Sequence, residues 1–125
     1  MNHQTDKNYF TEEEQSCSCC GENNFNQDTL QKFNNLRAYL GFGMKMNSGY
    51  RCPEYNKLKG YTQTHATGQA GDIKCTHKQA YAILKHAPKF GFTGIGIKQK
   101  GSGRFIHLDD LEEAESRPRP HIWSY

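Results

Sequence analysis

Residues 62–75 read TQTHATGQAGDIKC. His65 and Asp72 are separated only by small or flexible residues: Ala66, Thr67, Gly68, Gln69, Ala70 and Gly71. Alone, the stretch is either a polar surface turn or one half of a metal site. A catalytic zinc ion takes three protein ligands from His, Asp, Glu or Cys and keeps a fourth position open. Such ligands must converge from rigid elements, and a turn of Gly and Ala lets the backbone come close to an ion. The end of the stretch, AGDIKC, has the make-up of a short strand, which would start just before the carboxylate.

Working outward, residues 104–110, RFIHLDD, predict a strand with a second histidine. Alternate residues of a strand share a face, so Phe105, His107 and Asp109 point the same way. The segment FTGIGIK before it predicts a partner strand, joined through the Gly-rich QKGSG as a hairpin. Between the two halves lies THKQAYAILKHAPKF, a helix pattern with Thr76 and Gln79 as a capping box and Pro88 at its end. Upstream, DTLQKFNNLRAYLGFG places Leu30, Phe33, Leu36, Tyr39 and Leu40 on one stripe, with Asp28 as N-cap and Gly41 as terminator. MKMNSGYR predicts a strand running into a tight turn, and CPEYNKLKG a short helix from Pro53 to Gly60. Residues 1–26 are polar and read as irregular, apart from the capping pattern Thr11-x-x-Glu14. The tail ESRPRPHIWSY reads as irregular too, with Trp123 and Tyr125 closing over the core or walling a cleft. The expected architecture is one small α+β domain over residues 1–125, an antiparallel sheet with flanking helices.

The chain has 125 residues, 34% of them hydrophobic, with 12 glycines. A net charge of +3 is low for a nucleic-acid binder, so no nucleic-acid partner is expected, and it is compatible with attraction to an anionic polymer. No apolar run is long enough for a membrane span. The N-terminus lacks a charged-then-apolar signal pattern, which predicts synthesis in the cytoplasm. Five cysteines, Cys17, Cys19, Cys20, Cys52 and Cys75, cannot all pair within one chain. A structural zinc site, one or two disulfides, or buried thiols are all open. His3, His77 and His86 have no assigned role, and His121 reads as a solvated tail residue.

Four motifs bear on identity. THATGQAGDI resembles the His-x-x-Gly-x-Ala-x-Asp signature of the zinc D-Ala-D-Ala carboxypeptidases, relatives of lysostaphin-type peptidases and the hedgehog domain, with matches at His65, Gly68, Ala70 and Asp72. NSGYRCPEYN is similar to that family's Ser-Gly-Tyr-Arg segment, and FIHLDD to its third-ligand strand; the ending IWSY resembles those of short members. The resemblance implies that His65, Asp72 and His107 bind Zn2+. It implies that Arg51 holds a substrate carboxylate or carbonyl, for which its planar fork is suited. Ser48, Tyr50 and Trp123 join Arg51 as expected substrate-side residues, Ser48 and Tyr50 chiefly by shaping the turn. Two positions depart from the family: Gln63 stands where a serine is frequent, and no acid or histidine occupies residues 103–106, just before the third ligand. Asp109 is therefore the expected base, or else the carboxylate that orients a ligand histidine. The implied activity is hydrolysis of peptidoglycan stem peptides by a monomer, phage endolysin-like, released to act on the cell wall. The alternative is a zinc-containing, peptidase-like binding module without turnover.

Overall fold

A computed structural model describes residues 4–125; residues 1–3, and His3 with them, lie outside the described residues. Four helices and five strands follow in order: α1 (Glu12–Gln15), α2 (Gln27–Leu40), β1 (Lys45–Ser48), α3 (Pro53–Lys59), β2 (Ala70–Lys74), α4 (His77–His86), β3 (Gly94–Lys98), β4 (Phe105–Asp109) and β5 (His121–Ser124). One mixed sheet has the strand order β1-β2-β4-β3-β5. The α+β class expected from sequence holds. The sheet is not wholly antiparallel, however, because β5 joins β3 in parallel. The tail expected to be irregular thus becomes an edge strand; its prolines precede the pairing segment and do not interrupt it.

The α2 stripe meets the sheet. Phe33 is fully buried and contacts Phe10, Phe25 and Phe92 edge-on, with ring centroids 6.1, 6.0 and 4.7 Å away. Met46, Ile73, Ile95, Ile106 and Leu108 belong to the same cluster, which is the apolar face of the sheet. Truncating Phe33 to alanine is expected to cost about 3–5 kcal/mol.

Two caps differ from expectation. Asn26, not Asp28, caps α2: its side chain accepts the Thr29 N–H at 3.0 Å, while its own N–H is tied to the Gly68 carbonyl at 2.8 Å. That tie bends the chain into the helix two residues early and leaves Asp28 in the first turn, where a carboxylate suits the helix dipole. Thr76 makes no side-chain cap bond at α4, because His77 takes a φ of 51° and turns the chain away from capping geometry. The Thr11–Glu14 capping box does form, and α1 then covers the β1 edge: Glu14 accepts the Met46 N–H at 2.8 Å, and the Tyr50 N–H donates to the Gln15 carbonyl at 2.9 Å. No helix among the described residues is long and apolar enough to cross a membrane.

On the other face, strand register lines up a row. Ser48 pairs with Asp72, Asp72 with His107, His107 with Gly96, and Gly96 with Trp123. The next row runs Ala70, Asp109, Gly94, His121.

Candidate metal centre

Asp72 and His107 face each other across β2 and β4, which brings their Cβ atoms to about 5 Å. His65 arrives from outside the sheet, on a 3-10 turn, Thr64–Thr67, that ends at Gly68 with φ 77°. A β-carbon at Gly68 would also collide with the Asn24 carbonyl oxygen, so only glycine serves there. The residue that looked like mere flexibility in the sequence is thus what seats His65 beside the strand.

Three atoms converge. His107 Nδ1 lies 3.1 Å from Asp72 Oδ1; His65 Nε2 lies 3.3 Å from Asp72 Oδ1 and 3.3 Å from His107 Nδ1. Zinc bonds of 2.0–2.1 Å at tetrahedral angles separate ligand atoms by about 3.3–3.4 Å, so this donor set fits a tetrahedral metal with one position free. The outer ring nitrogens are also committed. His65 Nδ1 is 2.7 Å from the Gly49 carbonyl and donates to it. His107 Nε2 is 2.8 Å from Asp109 Oδ2 and donates to it. Each proton is thereby held on the far nitrogen, and each inward lone pair is left for a metal.

Asp109 is fully buried behind the His107 ring. Arg119 Nε and Nη2 donate to its two oxygens at 2.9 and 2.7 Å, and the Leu111 N–H adds a bond of 3.3 Å. Side-chain exposure marks the open side: 13% for Asp72 against 3% for His65 and His107.

Charge accounts for the ionisation. Burial pushes the Asp72 carboxyl up, but the facing His65 and His107 rings outweigh it and hold it well below the usual carboxylate range. Burial pushes His107 down, yet its bonds to Asp109 and Asp72 raise it above the ordinary histidine value. Burial likewise opposes ionisation of Asp109, and His107 with Arg119 brings it to about 2.

Of the other expected residues, Arg51 lies closest in the chain's bonding: its N–H donates to the His65 carbonyl at 3.3 Å. Its guanidinium stacks over Tyr61 at 4.7 Å, and its Nε is buried without a partner. Ser48 ends β1 opposite Asp72. Trp123 reaches across β3, with its ring 5.1 Å from His107. Tyr50 is not brought to the centre; it is buried in a separate cluster with Cys17 and Cys52. His121 is exposed and stacks on Trp123, and Gln63 bonds Asn56 Nδ2 at 3.3 Å, bracing the loop before His65. Asp110 turns away to Thr29 and Lys32 of α2. A wide cavity of about 1000 Å³ lies elsewhere, lined by Lys45, Lys74, His77 and Arg104, and holds none of the three converging side chains.

Sequence reasoning missed four contributors. Arg119 carried a faint signal, a lone cation between two prolines. The Gly49 carbonyl carried none. Gly94 and Gly96 looked like ordinary strand residues. Yet a β-carbon at Gly94 would lie 2.6 Å from Arg119 Nε, and one at Gly96 the same distance from Trp123 Nε1.

No curated protein and no solved structure matches the chain. The family model for Peptidase M15 matches residues 6–109, which include Arg51, His65, Asp72, His107 and Asp109 and stop short of Arg119 and Trp123. The chain belongs to the M15 peptidases, a metallopeptidase family.

Proposed function

We propose that this M15 peptidase is zinc-dependent and hydrolyses peptidoglycan stem peptides, as a D-Ala-D-Ala carboxypeptidase or as an endopeptidase within the stem. The observation that carries the reading is the triangle of His65 Nε2, Asp72 Oδ1 and His107 Nδ1, with sides of 3.1, 3.3 and 3.3 Å. A zinc ion held there supplies Lewis acidity for a peptide carbonyl and renders water acidic enough to lose a proton near neutral pH. The chain supplies the rest. Gly49 and Asp109 keep the protons on His65 Nδ1 and His107 Nε2, fixing both rings. Arg51, with an unpartnered Nε, meets the substrate's terminal carboxylate or a carbonyl oxygen. Trp123 forms one wall. Asp109 is a positioning residue in this reading, not the base, because its oxygens are already taken by Arg119, His107 and the Leu111 N–H.

That same commitment of Asp109 favours one competing reading, a metal-holding module without turnover. Residues 1–125 act as one monomeric domain in either case. As a lytic enzyme of phage type, it would reach the wall after release from the cytoplasm. Digestion of purified peptidoglycan, followed by mass analysis, decides. Release of terminal D-alanine marks a carboxypeptidase, and shorter stem fragments an endopeptidase; a chelator abolishes both. Metal binding with no product from several wall types leaves the module reading standing.

A further inference from the structure

Away from the His/Asp centre, Cys17, Cys19, Cys20 and Cys52 bring their four sulfurs within 4.8 Å of one another. Cys19 Sγ and Cys52 Sγ are 3.4 Å apart, and all four thiols are free. Zinc–sulfur bonds of about 2.3 Å at tetrahedral angles separate the sulfurs by about 3.8 Å, within the span seen here. We propose that these four cysteines form a second metal site, a structural zinc centre that clamps the N-terminal segment to the loop carrying Arg51.

The local backbone has the form such a site needs. Cys17 and Cys20 have the C-x-x-C spacing of a zinc-binding turn. The turn closes with the Gly21 N–H on the Cys17 carbonyl at 2.8 Å, and Gly21 takes a φ of 76°, open to glycine at little cost. The Cys52 N–H donates to Cys17 Sγ at 3.4 Å, a bond that favours sulfur as thiolate. Zn2+ displaces the thiol protons to solvent as it binds. Two ligands, Cys17 and Cys52, are buried, and Cys19 and Cys20 are exposed, so an ion has a way in. The arrangement also resolves the odd cysteine number: four converge, and Cys75 is a separate buried thiol bonded to the Ile73 carbonyl at 3.3 Å.

Position gives the clamp a task. The loop between Cys52 and β1 contains Gly49, whose carbonyl holds His65, and Arg51. A β-carbon at Gly49 would lie 2.8 Å from the Glu14 carbonyl oxygen, so the N-terminal segment is pressed directly onto that loop. Residues 17–24 place no side chain in the main core, which the segment rejoins only at Phe25, and a metal supplies the anchor that this stretch lacks.

The test is metal content of the full chain, purified under reducing conditions without chelator. Two zinc ions per chain are expected in the native protein and one in each of Cys19→Ser/Cys52→Ser and His65→Ala/His107→Ala. Cobalt replaces the variant that fails to fold: a thiolate-to-cobalt charge-transfer band is expected in the native chain and, undiminished, in His65→Ala/His107→Ala. Absence of that band, or mass analysis showing disulfides among the four cysteines in freshly alkylated protein, overturns the clamp. Failure of the His/Asp centre reads differently: the native chain and its histidine variant would then hold the same single metal, with the band in both.

Discussion

His65, Asp72 and His107 stand on or beside a sheet, whereas Cys17, Cys19, Cys20 and Cys52 are strung along loops. The first group is held in place by the fold's own strands and hydrogen bonds. Asp72 and His107 are fixed by register, and both rings are held by acceptors on their outer nitrogens. The second group has backbone bonds to sulfur, such as that from the Cys52 N–H to Cys17, and no strand beneath it. A metal would therefore do different work at the two places. Where the fold already builds the site, metal adds chemistry; where it does not, metal binding is itself folding energy. Chelation should therefore stop activity while leaving the sheet intact, and should loosen the segment around Cys17–Cys20. Amide exchange that rises equally in β2, β4 and residues 15–24 after chelation would erase the distinction.

The largest expected effect comes from breaking the sheet-borne group. His65→Ala or His107→Ala removes a ligand, and several kcal/mol of metal assistance is lost, a fall in kcat/KM of about a thousandfold or more. Circular dichroism should remain native-like, since both residues lie on the polar side of the sheet. Activity within tenfold of the native chain would show that this centre does not carry the chemistry.

Asp109→Asn comes next. The amide oxygen still accepts from His107 Nε2, but the charge that pairs with Arg119 is gone. Loss of such support behind a ligand histidine typically costs about 10–100-fold in metal affinity or activity. A zinc titration that matches the native chain would remove Asp109 from the site altogether.

The sheet-borne half was legible because its residues obey short rules. His107 and Asp109 share a face by alternation, and the turn between His65 and Asp72 is marked by glycine. The helix stripe through Phe33 is a periodicity that any core-facing helix must show. The rest depended on contacts that sequence does not encode locally. Arg119 meets Asp109 only because β5 folds back in parallel, and its surroundings, RPRP, read as an irregular tail. The Gly49 carbonyl has no side chain to read. The cysteines are close only after β1 and the N-terminal segment pack, so their spacing left zinc, disulfide and thiol equally open. Asn26 displaced Asp28 as cap through a bond to Gly68 that no helix rule contains.

Proton linkage offers a subtler probe of how the sheet-borne group is pre-arranged. Without metal, Asp109 is held at about 2, so its stabilisation is present above the unfolded carboxylate value near 3.9 and is lost as pH falls toward 2. His107 is raised, so its contribution is present below about 6.5 and is lost as pH rises through the higher folded value. The metal-free chain should be most stable between about pH 4 and 6.5. A metal needs the His107 Nδ1 lone pair, so the stabilisation it adds should grow over the pH interval in which His107, raised above its ordinary value, loses its proton. Denaturant midpoints with and without zinc measure this, and a metal increment that shrinks over that interval would contradict the assigned hydrogen bonds.

The smallest expected effect tests how far the sheet's support extends. Gly96 lies between His107 and Trp123 in the strand register, and its missing side chain is what admits the indole. In Gly96→Ala, the new methyl would sit 2.6, 2.7 and 2.9 Å from Trp123 Nε1, Cε2 and Cζ2. The ring must give way, and it can, because β5 is an edge strand and Trp123 is only half-buried. Two roles for Trp123 then separate. If the indole walls the substrate cleft, KM rises several-fold while zinc affinity and thermal midpoint stay near native, because His107 keeps its bond to Asp109. If it merely closes the core, the midpoint falls and KM does not. A matched Trp123→Phe variant checks the assignment: a smaller ring beside Gly96→Ala should recover part of the loss only where the clash, and not the added methyl itself, is responsible.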